Sequence, residues 1–168
     1  WWHDVTVNLR GPMLCCRAVL PHMIKRDEGI ILNMNGGGAE SPLPGGSAYG
    51  SSKAALLRLT DTLAAELEIV GSRVLVFAIG PGLVRTTMTQ LQADSKAGRK
   101  WIPSTRRSLE NGNHRPPEDC AQATIELLRI ACSELNGRIF DVGTDFNAIA
   151  RDMAAIKQND RHTLRSRY

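Results

Sequence analysis

Tyr49 and Lys53 stand four residues apart in the stretch Ser47-Ala48-Tyr49-Gly50-Ser51-Ser52-Lys53-Ala54-Ala55. Alanines and leucines recur at helical spacing from there to Leu67, and Ser47 is a residue type that caps helices. A helix places residues four apart on one face, with β-carbons about 5–6 Å apart. Phenol and ammonium then become neighbours. A nearby cation favours the phenolate and draws a tyrosine down from its usual pKa of about 10. A phenol tuned in this way can donate and accept a proton near neutral pH, as a general acid–base must. The same spacing occurs on many solvated helices, so a plain surface pair is the competing reading.

The elements that must hold this pair can be read on either side of it. Residues 2–26 carry Val5, Leu9, Met13, Cys16, Leu20 and Met23 or Ile24 at spacings of three and four, a long helix. Pro12 falls inside that helix. Proline has no N–H to give to the carbonyl four residues back, so the Asn8 carbonyl must find another partner, such as a water. Ile30 to Met34 is a short continuous apolar run, expected of a parallel strand covered on both faces. Asn35-Gly36-Gly37-Gly38 follows at its C-terminal end, the sheet edge where ligands bind in open α/β folds. A Pro- and Gly-containing loop over 41–46 leads to the tyrosine helix, 47–70, which presents Leu56, Leu63 and Leu67, flanked by Leu57 and Ala64.

A second buried strand covers 74–79 and breaks at Gly80-Pro81-Gly82, with Thr86 placed to cap a short helix over 87–97. Residues 94–117 are polar and basic, apart from Trp101, Ile102 and Leu109. Pro117-Glu118-Asp119 opens a helix to about residue 133, expected to bury Ala121, Ile125 and Leu128. A third strand over 138–142, a last amphipathic helix over 146–156 and a solvated, charged tail over 158–168 complete the chain. The expected fold is a doubly wound α/β domain, one parallel sheet with helices on both faces, spanning 1–168 as a single domain.

Composition narrows the function. The chain has 168 residues, 42% hydrophobic and 23% charged, which suits a globular protein with its own core. The net charge is +4, but no aromatic residues interleave with the arginines, so a nucleic-acid partner is not expected. No apolar run reaches the roughly 20 residues needed to span a bilayer, and no membrane partner is expected. Cys15, Cys16, Cys120 and Cys132 show no metal-ligand spacing. They read as small, mostly buried hydrophobes in a reduced cytoplasmic setting, with no metal.

Taken in order, Asn8-Leu9-Arg10-Gly11, Tyr49-x-x-x-Lys53 and Pro81-Gly82-x-Val84-x-Thr86 resemble the short-chain dehydrogenase/reductase family over most of the chain, from Asn8 to about Val142. The resemblance implies a Rossmann-like fold and a nicotinamide cofactor, NAD or NADP. It implies hydride exchange with a small-molecule alcohol or carbonyl substrate. Tyr49, Lys53 and Asn8 would be catalytic, Asn8 through a relay water on its main-chain carbonyl. Tyr49, Lys53, Pro81, Gly82, Val84 and Thr86 would meet the cofactor, while 94–117 would cover the substrate. Dimers or tetramers would form through the helices 2–26 and 47–70.

Two departures stand beside the resemblance. The family's catalytic serine lies thirteen residues before the tyrosine, where this chain has Gly36. Either Asn35, a water, Ser41 or Ser47 orients the substrate beside Gly36, or the chemistry is weakened. No glycine-rich β-α turn for a pyrophosphate is present, since Gly36-Gly37-Gly38 follows the wrong strand and opens no helix. The chain begins Trp1-Trp2 without a methionine and is expected to be the C-terminal part of a longer domain or a truncated product. The alternative to an oxidoreductase is therefore a degenerate, non-catalytic member acting as a dimerising or remnant domain.

Overall fold

The computed structural model describes residues 1–164. Three strands, β1 (Ile30–Met34), β2 (Leu75–Gly80) and β3 (Ile139–Asp141), form one parallel sheet in the order β1-β2-β3. β1 pairs with β2 from Ile30/Leu75 to Met34/Ile79, and β2 with β3 from Ala78/Ile139 to Gly80/Asp141. The chain enters β2 through Val74. Alternation explains its unbroken apolar run. Val74 and Val76 face Ala64 and Leu67 of one helix layer, with Leu20 and Met23 beside them. Phe77 and Ile79 face Ala123, Leu127, Phe146, Ile149 and Ile156 on the opposite side. A strand buried on both faces cannot alternate polar and apolar. Among the described residues no strand pairs with the outer edge of β1.

The first helix layer holds α1 (Trp2–Val5), a π-helical turn (Thr6–Arg10), α2 (Gly11–Arg26) and α3 (Ser47–Ile69). The expected helix 2–26 is thus continuous but contains one wide turn, and Pro12 explains it. The Gly11 N–H reaches five residues back to the Thr6 carbonyl, so the ladder widens just before the residue that has no N–H to offer. α1 and the π turn both pack on α3. α2 ends at Asp27 in a left-handed conformation (φ 51°). The Asp27 carboxylate accepts the Arg73 N–H at 2.6 Å and its Nε at 2.8 Å, joining the helix end to the entry of β2. Those Arg73 contacts hold the carboxyl below its ordinary range, the backbone N–H contributing most.

α3 buries Leu56, Leu57, Thr60, Ala64 and Leu67, with Leu63 half-buried beside them. Its N-cap is Gly46 rather than Ser47, so no side chain caps it; the Ser47 hydroxyl, inside the first turn, accepts the Trp1 indole N–H at 3.2 Å. Two buried polar side chains set positions. Asn33 of β1 donates to the Thr60 hydroxyl at 2.9 Å, which donates to the Leu56 carbonyl. Asn136 accepts the Val76 N–H at 2.8 Å where no strand residue is available to do so.

Beyond β2 come α4 (Thr87–Asp94), α5 (Lys96–Trp101) and α6 (Pro103–Glu110), which pack chiefly against one another. The stretch 94–117 is therefore more ordered than its polar composition suggests, with Leu109 buried inside it. α7 (Pro117–Ile130) opens at the expected proline but buries a different face. Ala123 and Leu127 are inside, whereas Ala121 is exposed and Ile125 and Leu128 are 46% and 44% exposed. The cause is the company on the inner face, where Cys120 and Ile130 join Ala123 and Leu127 against Phe140 and Phe77. A 3-10 turn (Ser133–Leu135), α8 (Phe146–Arg151) and α9 (Met153–Gln158) follow, so the last helix is two, broken at Asp152.

The tail also departs from expectation up to residue 164. The Ile139 N–H donates to the His162 carbonyl at 2.8 Å, and Asp160 pairs with the nearly buried Arg138 at 2.6 Å. Leu164 packs beside Leu57, Ala78 and Ile139. Residues 165–168 of the expected tail lie outside the described residues. Of the cysteines, Cys16 is buried and Cys120 and Cys132 half-buried, but Cys15 is exposed, since it lies on the outer side of α2. Among the described residues no helix is long and apolar enough to cross a membrane, and no cluster of His, Cys, Asp and Glu could hold a metal ion.

Candidate active site

The C-terminal ends of β1 and β2 lie at one edge of the sheet, and α3 starts beside them. Asn35 continues the β1 register through its N–H, which donates to the Ile79 carbonyl at 2.8 Å. Two glycines then let the loop after β1 touch α3. A β-carbon on Gly50 would come within 2.9 Å of the Gly38 carbonyl oxygen, and one on Gly38 within 3.3 Å of the Gly50 Cα. This backbone contact fixes the height of the first turn of α3, and with it Tyr49.

Tyr49 lies with its ring against Gly36. A β-carbon built on Gly36 would collide with the Tyr49 hydroxyl and stand 3.0 Å from its Cζ. The phenol thus occupies space that a side chain at position 36 would need. One turn on, the Lys53 ammonium donates to the Met34 carbonyl at 2.9 Å and lies 5.8 Å from the centre of the Tyr49 ring. Gly36, Tyr49, Lys53 and the last carbonyl of β1 therefore form one cluster.

The electrostatics of the cluster run opposite to the expectation from spacing. Burial pushes the Tyr49 phenol above its ordinary value and pushes the Lys53 ammonium below its own. Lys53 is turned to the strand tip and stands beside the ring rather than on the phenol oxygen. Loss of water outweighs the neighbouring cation. In this arrangement Tyr49 holds its proton firmly at neutral pH and can donate it.

The remaining candidates divide by element. Asn8 sits half-buried in the π turn, which packs on α3. Pro81 and Gly82 (φ +68°) turn the chain at the tip of β2. Val84 forms a bridge with Arg115, and its carbonyl accepts the Thr89 hydroxyl at 2.8 Å. Thr86 caps α4 in a reciprocal box with Thr89. Asn35 is engaged by Glu40. Its side chain is buried, its Nδ2 donates to Glu40 at 3.3 Å, and its Oδ1 has no protein partner. Ser47 is engaged by Trp1, so neither residue stands in for a side chain at position 36. The reading from spacing missed the Met34 carbonyl, which carries no side-chain signature. It also missed Glu40 and the Gly38/Gly50 contact, although two glycines flanking the tyrosine were a visible signal.

The parallel sheet thus carries Tyr49 and Lys53 one helical turn apart beside its strand tips. Residues 1–97 match the family model described as short chain dehydrogenase. The chain belongs to the short-chain dehydrogenase family, a family of oxidoreductases. It is 37% identical over 162 residues to the short chain dehydrogenase mpl6 of Monascus purpureus, covering 96% of this chain and 50% of that one. Acetoin dehydrogenase from Enterobacter cloacae superposes with a TM-score of 0.60 at 29% identity, over 84% of this chain and 53% of that chain. A protein of Beutenbergia cavernae, described as a candidate NAD(P) dependent gluconate 5-dehydrogenase and solved with NADP at low occupancy, gives 0.63 at 26% identity. That match covers 86% of this chain and 56% of the other. The chain spans about half the length of the curated relatives it matches.

Proposed function

We propose that this chain supplies the proton-transfer half of an NAD(P)-dependent oxidoreductase acting on an alcohol or carbonyl compound. The observation that carries the reading is the cluster of Tyr49, Lys53 and the Met34 carbonyl at the strand tips. Tyr49 donates the proton to the substrate oxygen on reduction and recovers it on oxidation. Burial keeps the phenol protonated beforehand, which suits the donor role. Lys53 retains two N–H donors beyond the one given to Met34, enough to hold the two hydroxyls of a ribose. Asn8 anchors a water that returns protons to Lys53, supported by the packing of its π turn on α3.

The residues present fit one end of a dinucleotide. Lys53, Val84 and Thr86 offer donors and acceptors around the tips of β1 and β2. When bound, the nicotinamide supplies the hydride or accepts it. Pro81 and Gly82 shape the turn at the β2 tip, and the helices over 94–117 cover the substrate. The exposed Val7, Leu14, Val19 and Ile24 on the first helix layer support assembly as a dimer or tetramer through 2–26 and 47–70. The second reading, a non-catalytic member, is favoured by Gly36, which gives a substrate carbonyl no donor beside Tyr49. Loss of such a donor costs about 10²–10³ in rate.

The test compares the protein with Tyr49→Phe. Thermal shifts with NAD and NADP report binding, and absorbance of the reduced nicotinamide reports turnover on a carbonyl panel. The expected result is a retained cofactor shift with turnover down by at least about 10²-fold. Equal turnover in Tyr49→Phe removes the tyrosine role. Failure of either dinucleotide to shift the unsubstituted protein favours the non-catalytic reading.

A further inference from the structure

Helices α4, α5 and α6 leave and rejoin the body of the protein at one neck. The Arg115 N–H donates to the Leu83 carbonyl at 2.8 Å and Val84 bridges to Arg115, so the two ends of the segment are paired to each other. Glycines with positive φ stand at both ends, Gly82 (+68°) and Gly112 (+74°), the latter in open space. Between them the three helices form a compact unit. The Ser95 hydroxyl accepts the Gly98 N–H at 2.8 Å, Gly98 packs on the Gln92 carbonyl, and Leu109 and Ala93 fill the interior.

Away from the neck, Trp101 of the unit meets the loop before α3. Trp101, the last residue of α5, lies on Gly45. A β-carbon at position 45 would stand 2.8 Å from Cβ and Cγ of Trp101 and 3.0 Å from its Cδ1. The Lys100 ammonium lies over the indole, 4.5 Å from the ring centre. Beside this contact lies a cavity of about 170 Å³ bounded by Leu43, Gly46, Gln92 and Ile102. Gly45 lies four residues before Tyr49. The helical unit therefore runs from the tip of β2 to the loop that delivers the tyrosine, and Trp101 closes the far end.

We propose that Trp101 is a positioning residue, a latch that fastens α4–α6 onto Gly45 and sets whether the cleft at the strand tips is covered or open. This deepens the reading of 94–117 as the substrate cover and rests on it. The latch is specific in shape. Gly45 presents a bare Cα with a left-handed backbone, against which the Cβ, Cγ and Cδ1 of Trp101 pack.

Hydrogen exchange of the whole protein tests the latch without reference to catalysis. In Trp101→Ala the amides of α4–α6 are expected to exchange at least tenfold faster, while those of Val76 to Ile79 in β2 stay unchanged. Trp101→Phe keeps a flat ring and should return the helices to within threefold of the original rate. Gly45→Ala attacks the contact from the other side and should reproduce the Trp101→Ala pattern. Unchanged exchange in α4–α6 for Trp101→Ala or Gly45→Ala overturns the proposal, as does acceleration that extends equally into β2. If Trp101→Ala fails to fold, Trp101→Phe and Gly45→Ala decide by the same criteria. A failed latch leaves the test on Tyr49 standing, because neither readout depends on the other.

Discussion

Replacing Gly36 by alanine adds one methyl group at the point where the Tyr49 phenol rests. Gly36 does not have a left-handed backbone, so alanine meets no conformational penalty there, and the effect is steric alone. The new β-carbon would stand 3.0 Å from Cζ and closer still to the hydroxyl. Carbon atoms settle at about 3.5–4.0 Å, so the ring must retreat by about 0.5–1 Å, and its oxygen by more. If the ring is held, overpacking of this kind costs about 1–3 kcal/mol. For a chain of this size each kcal/mol lowers Tm by about 2–4 °C. A displaced phenol also leaves its low-polarity site, so its ionisation should fall back toward the ordinary tyrosine range from its raised position. Where turnover is measurable, a misplacement of about 1 Å costs about 10²-fold. The assays are thermal unfolding by circular dichroism and ultraviolet titration of the phenols, with Tyr168 present in every variant. The decisive comparison is a cycle with Tyr49→Phe. Without the hydroxyl the worst contact disappears, so Gly36→Ala should cost clearly less in the Phe background. An equal cost in both backgrounds, or an unchanged Tm and titration in the single variant, would refute the placement of the phenol on Gly36.

Further expectations concern stability. Asn136→Ala removes the acceptor of the Val76 N–H in the sheet interior and should cost about 1–3 kcal/mol, read as a shift of the urea midpoint with an unchanged slope. Stability should also fall on the acid side in two stages. Burial holds His162 below the ordinary imidazole value of about 6.5, so the folded state favours the neutral ring. That stability is present above pH 6.5 and is lost as pH falls through the lower folded value. His162→Asn, which tolerates the left-handed backbone there (φ 59°), should flatten this stage in Tm measured from pH 7 to pH 5. Asp27 is also lowered, from 3.8, so its contribution is lost only as pH falls below that value. Asp27→Asn should lower Tm at neutral pH and converge with the unsubstituted protein at the acid extreme.

Much of the architecture was legible because burial on two faces leaves a plain signature. The run through Phe77 could hardly be anything but an inner strand, whereas Ile30 to Met34, an equally apolar run expected to be covered on both faces, lies at the edge of the described sheet with Ile30 and Met34 exposed. Tyr49 and Lys53 shared a face for the reason spacing suggests. What lay beyond reach were contacts defined by company rather than by pattern. In α7 the apolar residues 121, 123, 125, 127, 128 and 130 support two helical faces equally well. Only Phe77 and Phe140 on the sheet decide for Ala123 and Leu127. A tail of alternating charges hid one anchoring leucine, Leu164. The direction of the Tyr49 shift was misjudged because distance along a helix says nothing of how much water the surrounding loop removes, nor that Lys53 would turn to a main-chain carbonyl. Gly36 was visible as a missing hydroxyl, but not as the seat of the phenol.

The crossing of Gly38 and Gly50 has a mechanical consequence. Where side chains set the spacing of two segments, rotamer changes make that spacing soft. Here bare main chain meets bare main chain, so the loop and the helix reach a hard stop whose position no torsion of a side chain can alter. The height of Tyr49 above the sheet is therefore gauged by the thickness of the peptide backbone itself, and it should vary little with temperature as long as both positions remain glycine.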